Sequence, residues 1–168
     1  GVAVWAWVVV PLGWTLVATC LLGWALLTLA LIDWRHFILP DAITLPLIPL
    51  GLLASFVVDR EFVLDHLIGA AAGYGFVVLI AFIYRLWRGQ EGIGRGDAKL
   101  LAAAGAWVTW QGLSSVVLYA SVLALVGVVI QSLAGREVSA THKVAFGSYL
   151  CLAIWLVWLY GPLVLFGR

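Results

Sequence analysis

The sequence predicts an all-α, polytopic membrane protein with about six transmembrane helices and with its N and C termini on the non-cytoplasmic side. Three observations carry this. Apolar residues make up 65% of the 168-residue chain and charged residues 10%, with a mean hydropathy of +1.14, whereas soluble domains are about 45–50% apolar and about 25% charged. The apolar residues fall in runs near the roughly 20 that cross a hydrocarbon core. The basic residues gather on alternate connections between those runs, as the positive-inside rule requires.

The elements follow in order. The run from Ala3 to Ile32 carries no charge, and Pro11 lies near its start, where a helix tolerates proline; helix 1 is expected at roughly 8–32. Helix 2 is expected from about Ala42 to Val58 and helix 3 from about His66 to Trp87. Ala98 to Trp110 is apolar but short, either a short span or a helix buried among the others. Ser114 to Leu133 and Phe146 to Phe166 read as helices 5 and 6. Period-2 alternation is absent and open sheet edges cannot face lipid, so strands are not expected.

Charge sets the orientation. Arg35, Arg85, Arg88, Arg95, Lys99, Arg136 and Lys143 lie on the connections after helices 1, 3 and 5, seven of the nine basic residues, while Arg60 and Arg168 lie on the other side. The first group belongs in the cytoplasm, which puts both termini outside. A five-helix arrangement would mix the charges. A net charge of +1 gives no bulk case for nucleic acid or an acidic partner.

The N-terminus has no basic segment, and its apolar stretch is longer than a signal peptide's. The chain has no Met and begins at Gly1, consistent with a processed or truncated piece of a longer protein. Cys20 and Cys151 sit in apolar runs without partners at metal-ligand spacing and read as small buried hydrophobes. Gly69-Ala-Ala-Ala-Gly73 and the run Ala102 to Ala106 mark thin helix faces for close packing in lipid. Trp5, Trp7, Trp87 and Trp110 are placed to serve as interfacial anchors.

Of the eight acids, Asp59, Glu61 and Asp65 cluster with Arg60 in a short outer loop, and Glu137 neighbours Arg136; these read as solvated loop charges. Asp33, Asp41, Glu91 and Asp97 remain, all on the cytoplasmic side. Asp33 ends an uninterrupted apolar run and Asp97 opens the short fourth helix. Asp97 alone reads as a helix N-cap, and Asp33 alone as a boundary residue paired with Arg35. Two acids at one membrane face, where charge is costly, ask for a joint explanation. Two carboxylates in a dry site repel as anions, so one keeps its proton and the other loses it. The ionised one takes a proton from water and the protonated one polarises a peptide carbonyl, which is peptide hydrolysis without a covalent intermediate. Gly92, Gly94 and Gly96 expose backbone beside Asp97, along which an extended peptide could pair by strand addition. A dinucleotide fingerprint fails, because no strand precedes these glycines and the spacing is GxGxG.

Two segments then carry a family resemblance. Asp33-Trp-Arg-His-Phe-Ile-Leu-Pro40-Asp41-Ala-Ile-Thr44-Leu-Pro46 resembles the first signature of bacterial prepilin peptidases, the type IV leader peptidases. Glu91-Gly92-Ile-Gly94-Arg-Gly96-Asp97-Ala-Lys99-Leu100-Leu101 resembles the second, the GxGD-type motif, and the match continues through Ala103 to Trp107. The resemblance implies one membrane-embedded peptidase domain over 1–168, with Asp33 and Asp97 as the catalytic pair and no cofactor or metal. Pro40, Asp41, Thr44, Glu91, Gly94, Gly96, Lys99 and Gly147 are implied as supporting or substrate-binding residues. Asp41 is expected to cap helix 2, and Lys99 to snorkel to the cytoplasm. The implied substrates are type IV prepilins or type II secretion pseudopilins, cut after a Gly at the cytoplasmic face of the bacterial inner membrane.

Two features depart from the family pattern. The N-terminal region with a four-Cys cytoplasmic domain that many members carry, linked to N-methylation, is missing, which leaves no basis for methyltransferase activity in this chain. Val144-Ala-Phe-Gly147-Ser-Tyr149 resembles the family's Pro-Phe-Gly-Pro segment with both prolines replaced, and Gly147 keeps a tight turn or close approach. Three rival readings stand beside this one. A proton- or ion-coupled transporter or channel would use Asp33 and Asp97 and a broken-helix GxGxG site, but no acid lies at mid-membrane depth and no inverted repeat is evident. A purely structural subunit leaves the paired motifs unexplained. A metal site from Asp33, His36 and Asp41 is the third, with His36 otherwise an interfacial polar residue.

Overall fold

The computed structural model describes residues 2–9, 13–58, 60–88, 94–133 and 145–162. Among them are six α-helices and no strand: α1 (Val2–Val9), α2 (Trp14–His36), α3 (Asp41–Val58), α4 (Val63–Arg88), α5 (Arg95–Leu133) and α6 (Phe146–Tyr160). Three helical stretches, Trp14–His36, Arg60–Trp87 and Gly96–Leu133, are long and apolar enough to cross a membrane. The 23 residues of α2 extend about 35 Å, more than the roughly 30 Å of a hydrocarbon core. Trp14, Trp24, Leu64, Leu86 and Leu125, each more than half exposed, show that the outer faces are apolar, the pattern of a lipid-facing surface. Several helical hydroxyls find partners within their own helices, as apolar surroundings favour: Thr28 Oγ1 donates to Trp24 O at 2.8 Å and Ser121 Oγ to Val117 O at 2.8 Å.

The expected first helix is divided. α2 begins only at Trp14, after Gly13 at φ 154, a conformation glycine favours. The preceding α1 folds back, so that Val2 lies against Gly23 and Trp5 Nε1 donates to the Tyr160 hydroxyl at 3.0 Å. Pro11 lies outside the described residues.

The expected fourth and fifth helices form one element, α5, which leaves helical geometry at Thr109 (φ 64, ψ 173). The packing shows that the chain reverses there. In the first limb, Gly96 abuts Leu39, whose side chain also reaches Gly147; in the second, Gly127 abuts Tyr149, two residues from Gly147. A continuous helix would hold Gly96 and Gly127 more than about 45 Å apart. The limbs, residues 95–108 and 110–133, are therefore antiparallel. The first is short, as the sequence indicated, and lies inside the bundle: Leu100, Ala104 and Ala106 have no exposed surface.

Small residues let that limb in. Gly69 and Gly73 of α4 face the carbonyls of Gly105 and Leu101, and an added Cβ at Gly69 would fall 2.5 Å from Gly105 O. His66 Nδ1 lies 2.9 Å from Ala106 O, fixing the same pair of helices. On the other flank Trp107 Nε1 donates to Leu47 O of α3 at 2.9 Å. Helix α6 closes the bundle between α2 and α5, with Trp158 Nε1 donating to Thr19 Oγ1 at 3.0 Å. Its described helix ends at Tyr160, with Gly161 at φ 83, short of the expected Phe166.

Candidate active site

Asp33 occupies the last turn of α2 and is only 5% exposed. The helix stops four residues later because Phe37 adopts a left-handed conformation (φ 54, ψ 36) and returns its N–H to Asp33 O at 2.9 Å. The carboxylate turns to α6: Ser148 N–H donates to Asp33 Oδ2 at 2.8 Å, and Ser148 Oγ lies 3.2 Å from the same oxygen. Ser148 is in the first turn of α6, where its N–H also reaches Ala145 O at 3.2 Å, and the carboxylate from α2 supplies a second, shorter acceptor. Gly147 makes this approach possible, because a Cβ there would lie 2.9 Å from Asp33 Oδ2. Its role is close approach.

Asp97 lies in the first turn of α5, and its N–H donates to Gly94 O at 3.1 Å. Helix α5 starts at Arg95, so Asp97 is within the helix and is not its N-cap. Among the described residues no donor contacts its carboxyl. Leu39 joins the two acids' surroundings, packing on Gly96 from one side and on Gly147 from the other; a Cβ at Gly96 would fall 2.9 Å from Leu39 Cβ. The two acids thus come from helices α2 and α5 to the same end of the bundle.

Pro40 immediately precedes α3. Its carbonyl accepts from the N–H groups of Ile43 and Thr44, each at 3.1 Å, and from Thr44 Oγ1 at 3.1 Å. Thr44 is fully buried, and its hydroxyl is satisfied inside its own helix. Asp41 is the first residue of α3, not a cap before it, and its carboxylate receives Lys99 Nζ at 2.6 Å on each oxygen. Lys99 therefore ties the start of α3 to the start of α5. Arg35 makes no ion pair with Asp33 among the described residues. His36 is exposed. Glu91 and Gly92 lie outside the described residues, as does Val144.

Sequence reading missed Ser148 and Leu39. Ser148 carried a usable signal, a hydroxyl residue just inside the start of an apolar run, where first-turn amides are free. Leu39 stood only as a member of the first signature, since its packing role comes from two glycines distant in sequence.

A family model described as the type IV leader peptidase family matches residues 20–129. A prepilin leader peptidase/N-methyltransferase of Aeromonas hydrophila is 40% identical over 150 residues, covering 89% of this chain and 51% of that protein. One of Pseudomonas putida is 40% identical over 162 residues, 96% of this chain and 52% of that protein. The leader peptidase HopD of Escherichia coli is 41% identical over 123 residues, 73% of this chain and 79% of that protein. The chain spans about half the length of the first two relatives. No solved structure gives a significant match.

Proposed function

Because the chain belongs to the type IV leader peptidase family, we propose that it is an aspartic endopeptidase with Asp33 and Asp97 as its catalytic pair. Its substrates are type IV prepilins or type II secretion pseudopilins, whose basic leader it removes after a Gly. The observation that carries this is that the ends of α2 and α5 bearing the acids of both motifs lie at one end of the bundle, with Leu39 packed on Gly96 beside Asp97 and on Gly147 against Asp33.

The chemistry follows from unequal surroundings. Asp33, held at the start of α6 by Ser148 N–H, is oriented for one role. Asp97, without a donor among the described residues, is free to turn toward water or the scissile carbonyl. Together they activate water and protonate the leaving amine, a general acid–base pair. Gly94 keeps a side chain away from the Asp97 carboxyl, Gly96 lets Leu39 pack against the α5 start, and Lys99–Asp41 fixes that start. The basic loops favour an orientation with this end at the cytoplasmic face of the inner membrane and both termini outside. Transport through the same acids is not favoured: both stand at helix ends rather than at mid-membrane depth.

The test uses the full chain in membranes and a prepilin with a basic leader and a Gly at the junction. Asp33→Asn and Asp97→Asn should each lower cleavage by about 10²–10⁴-fold while inserting normally. A variant that cuts at the parent rate removes that acid from the pair.

A further inference from the structure

We propose that Ser148 is a positioning residue for Asp33, a role that rests on the peptidase reading above. The neighbouring hydroxyls set the contrast. Thr19, Thr28, Ser55 and Ser121 each donate to a carbonyl three or four residues back in their own helix. Ser148 instead crosses to α2, where its Oγ lies 2.9 Å from Ala30 O and 3.2 Å from Asp33 Oδ2. Its N–H reaches the same carboxylate oxygen at 2.8 Å.

A hydroxyl has one proton and two lone pairs. Against an ionised Asp33, the Ser148 hydroxyl turns its proton to Oδ2. Against a protonated Asp33, it donates to Ala30 O and accepts the Oδ2 proton. The backbone N–H holds the oxygen in place in both cases. Asp33 must gain and lose a proton in each turnover, and Ser148 gives it a partner in each state without moving α2 or α6. Neither purpose is needed for packing, since Gly147 already brings the helices together.

The test measures kcat and KM for prepilin cleavage by the full chain. Ser148→Ala keeps the N–H and removes the hydroxyl; kcat should fall about tenfold with KM within about twofold, the loss of a hydrogen bond to a group that changes charge. Ser148→Thr keeps both donors and should restore kcat to near the parent value. Unchanged kcat in Ser148→Ala overturns the proposal, as does a KM rise that accounts for the whole loss. Both outcomes differ from failure of the peptidase reading, in which the parent itself cuts no prepilin or Asp33→Asn remains active.

Discussion

Two regions of this bundle are joined in opposite ways. Where α4 crosses the first limb of α5, backbone meets backbone: Gly69 and Gly105 face each other's carbonyls, and Gly73 faces Leu101 O. At the end of the bundle that carries Asp33 and Asp97, polar and single side-chain contacts make the connection, through Ser148, Leu39 and the Lys99–Asp41 pair. In lipid, helices gain little from hydrophobic burial against one another, so dispersion and close fit hold the first region. The second holds its helices by a few polar contacts and leaves one acid without a donor among the described residues. On the proposed function the first region carries the fold and the second the chemistry, so substitutions in each should separate the two.

The largest effect is expected in the seam. Gly105→Val places a branched side chain into the Gly69 backbone, beyond the usual overpacking cost of about 1–3 kcal/mol. The expected result is loss of the cooperative melting transition in detergent, with activity lost alongside it. Gly75, on the same α4 helix, has nothing within 4 Å of a built Cβ, and Gly75→Ala should raise stability by about 0.5–1 kcal/mol through helix propensity alone. Equal melting of the two variants would erase the distinction between seam and lipid face.

A smaller effect is expected one turn away. Trp107→Phe removes the bond to Leu47 O but keeps an aromatic ring against Trp158, which it meets edge-on at 5.2 Å. The cost should be about 1 kcal/mol, read as a lower melting temperature with kcat unchanged. A drop in kcat without a change in melting would mean that the α3–α5 contact belongs to the site.

How far all this was legible from sequence depends on the range over which each feature is determined. Spans such as α2 and α4 are written locally in apolar runs, and the thin faces at Gly69, Gly73 and Gly105 in their lack of side chains. The proximity of Asp33 and Asp97 was inferred from a shared membrane face, not from contact. Three features escaped, the last two because they depend on packing. The break at Gly13 sits in a charge-free run that reads as one span, with Pro11 beside it as a local break signal. The reversal at Thr109 replaces the expected break a few residues later, at a residue whose type gives no turn signal. Asp41 and Lys99 were read separately, as a cap and a snorkelling cation, because nothing local shows that the starts of α3 and α5 lie side by side.

That last pair gives the smallest expected effect and the finest test of the contrast. Lys99 Nζ sits 2.6 Å from Asp41, but the two side chains are 25% and 57% exposed, so water screens their attraction. Exposed pairs of this kind couple by about 0.2–1 kcal/mol. A double-mutant cycle with Asp41→Asn and Lys99→Met should therefore return a coupling in that range, shrinking as salt is added. Cleavage should be more sensitive than melting, because the tie fixes the first turn of α5, where a shift of Asp97 by about an ångström can cost on the order of 10²-fold in rate. If coupling in stability is large while cleavage is indifferent, the pair belongs with the seam, and the acid end is more tightly built than its polar contacts indicate.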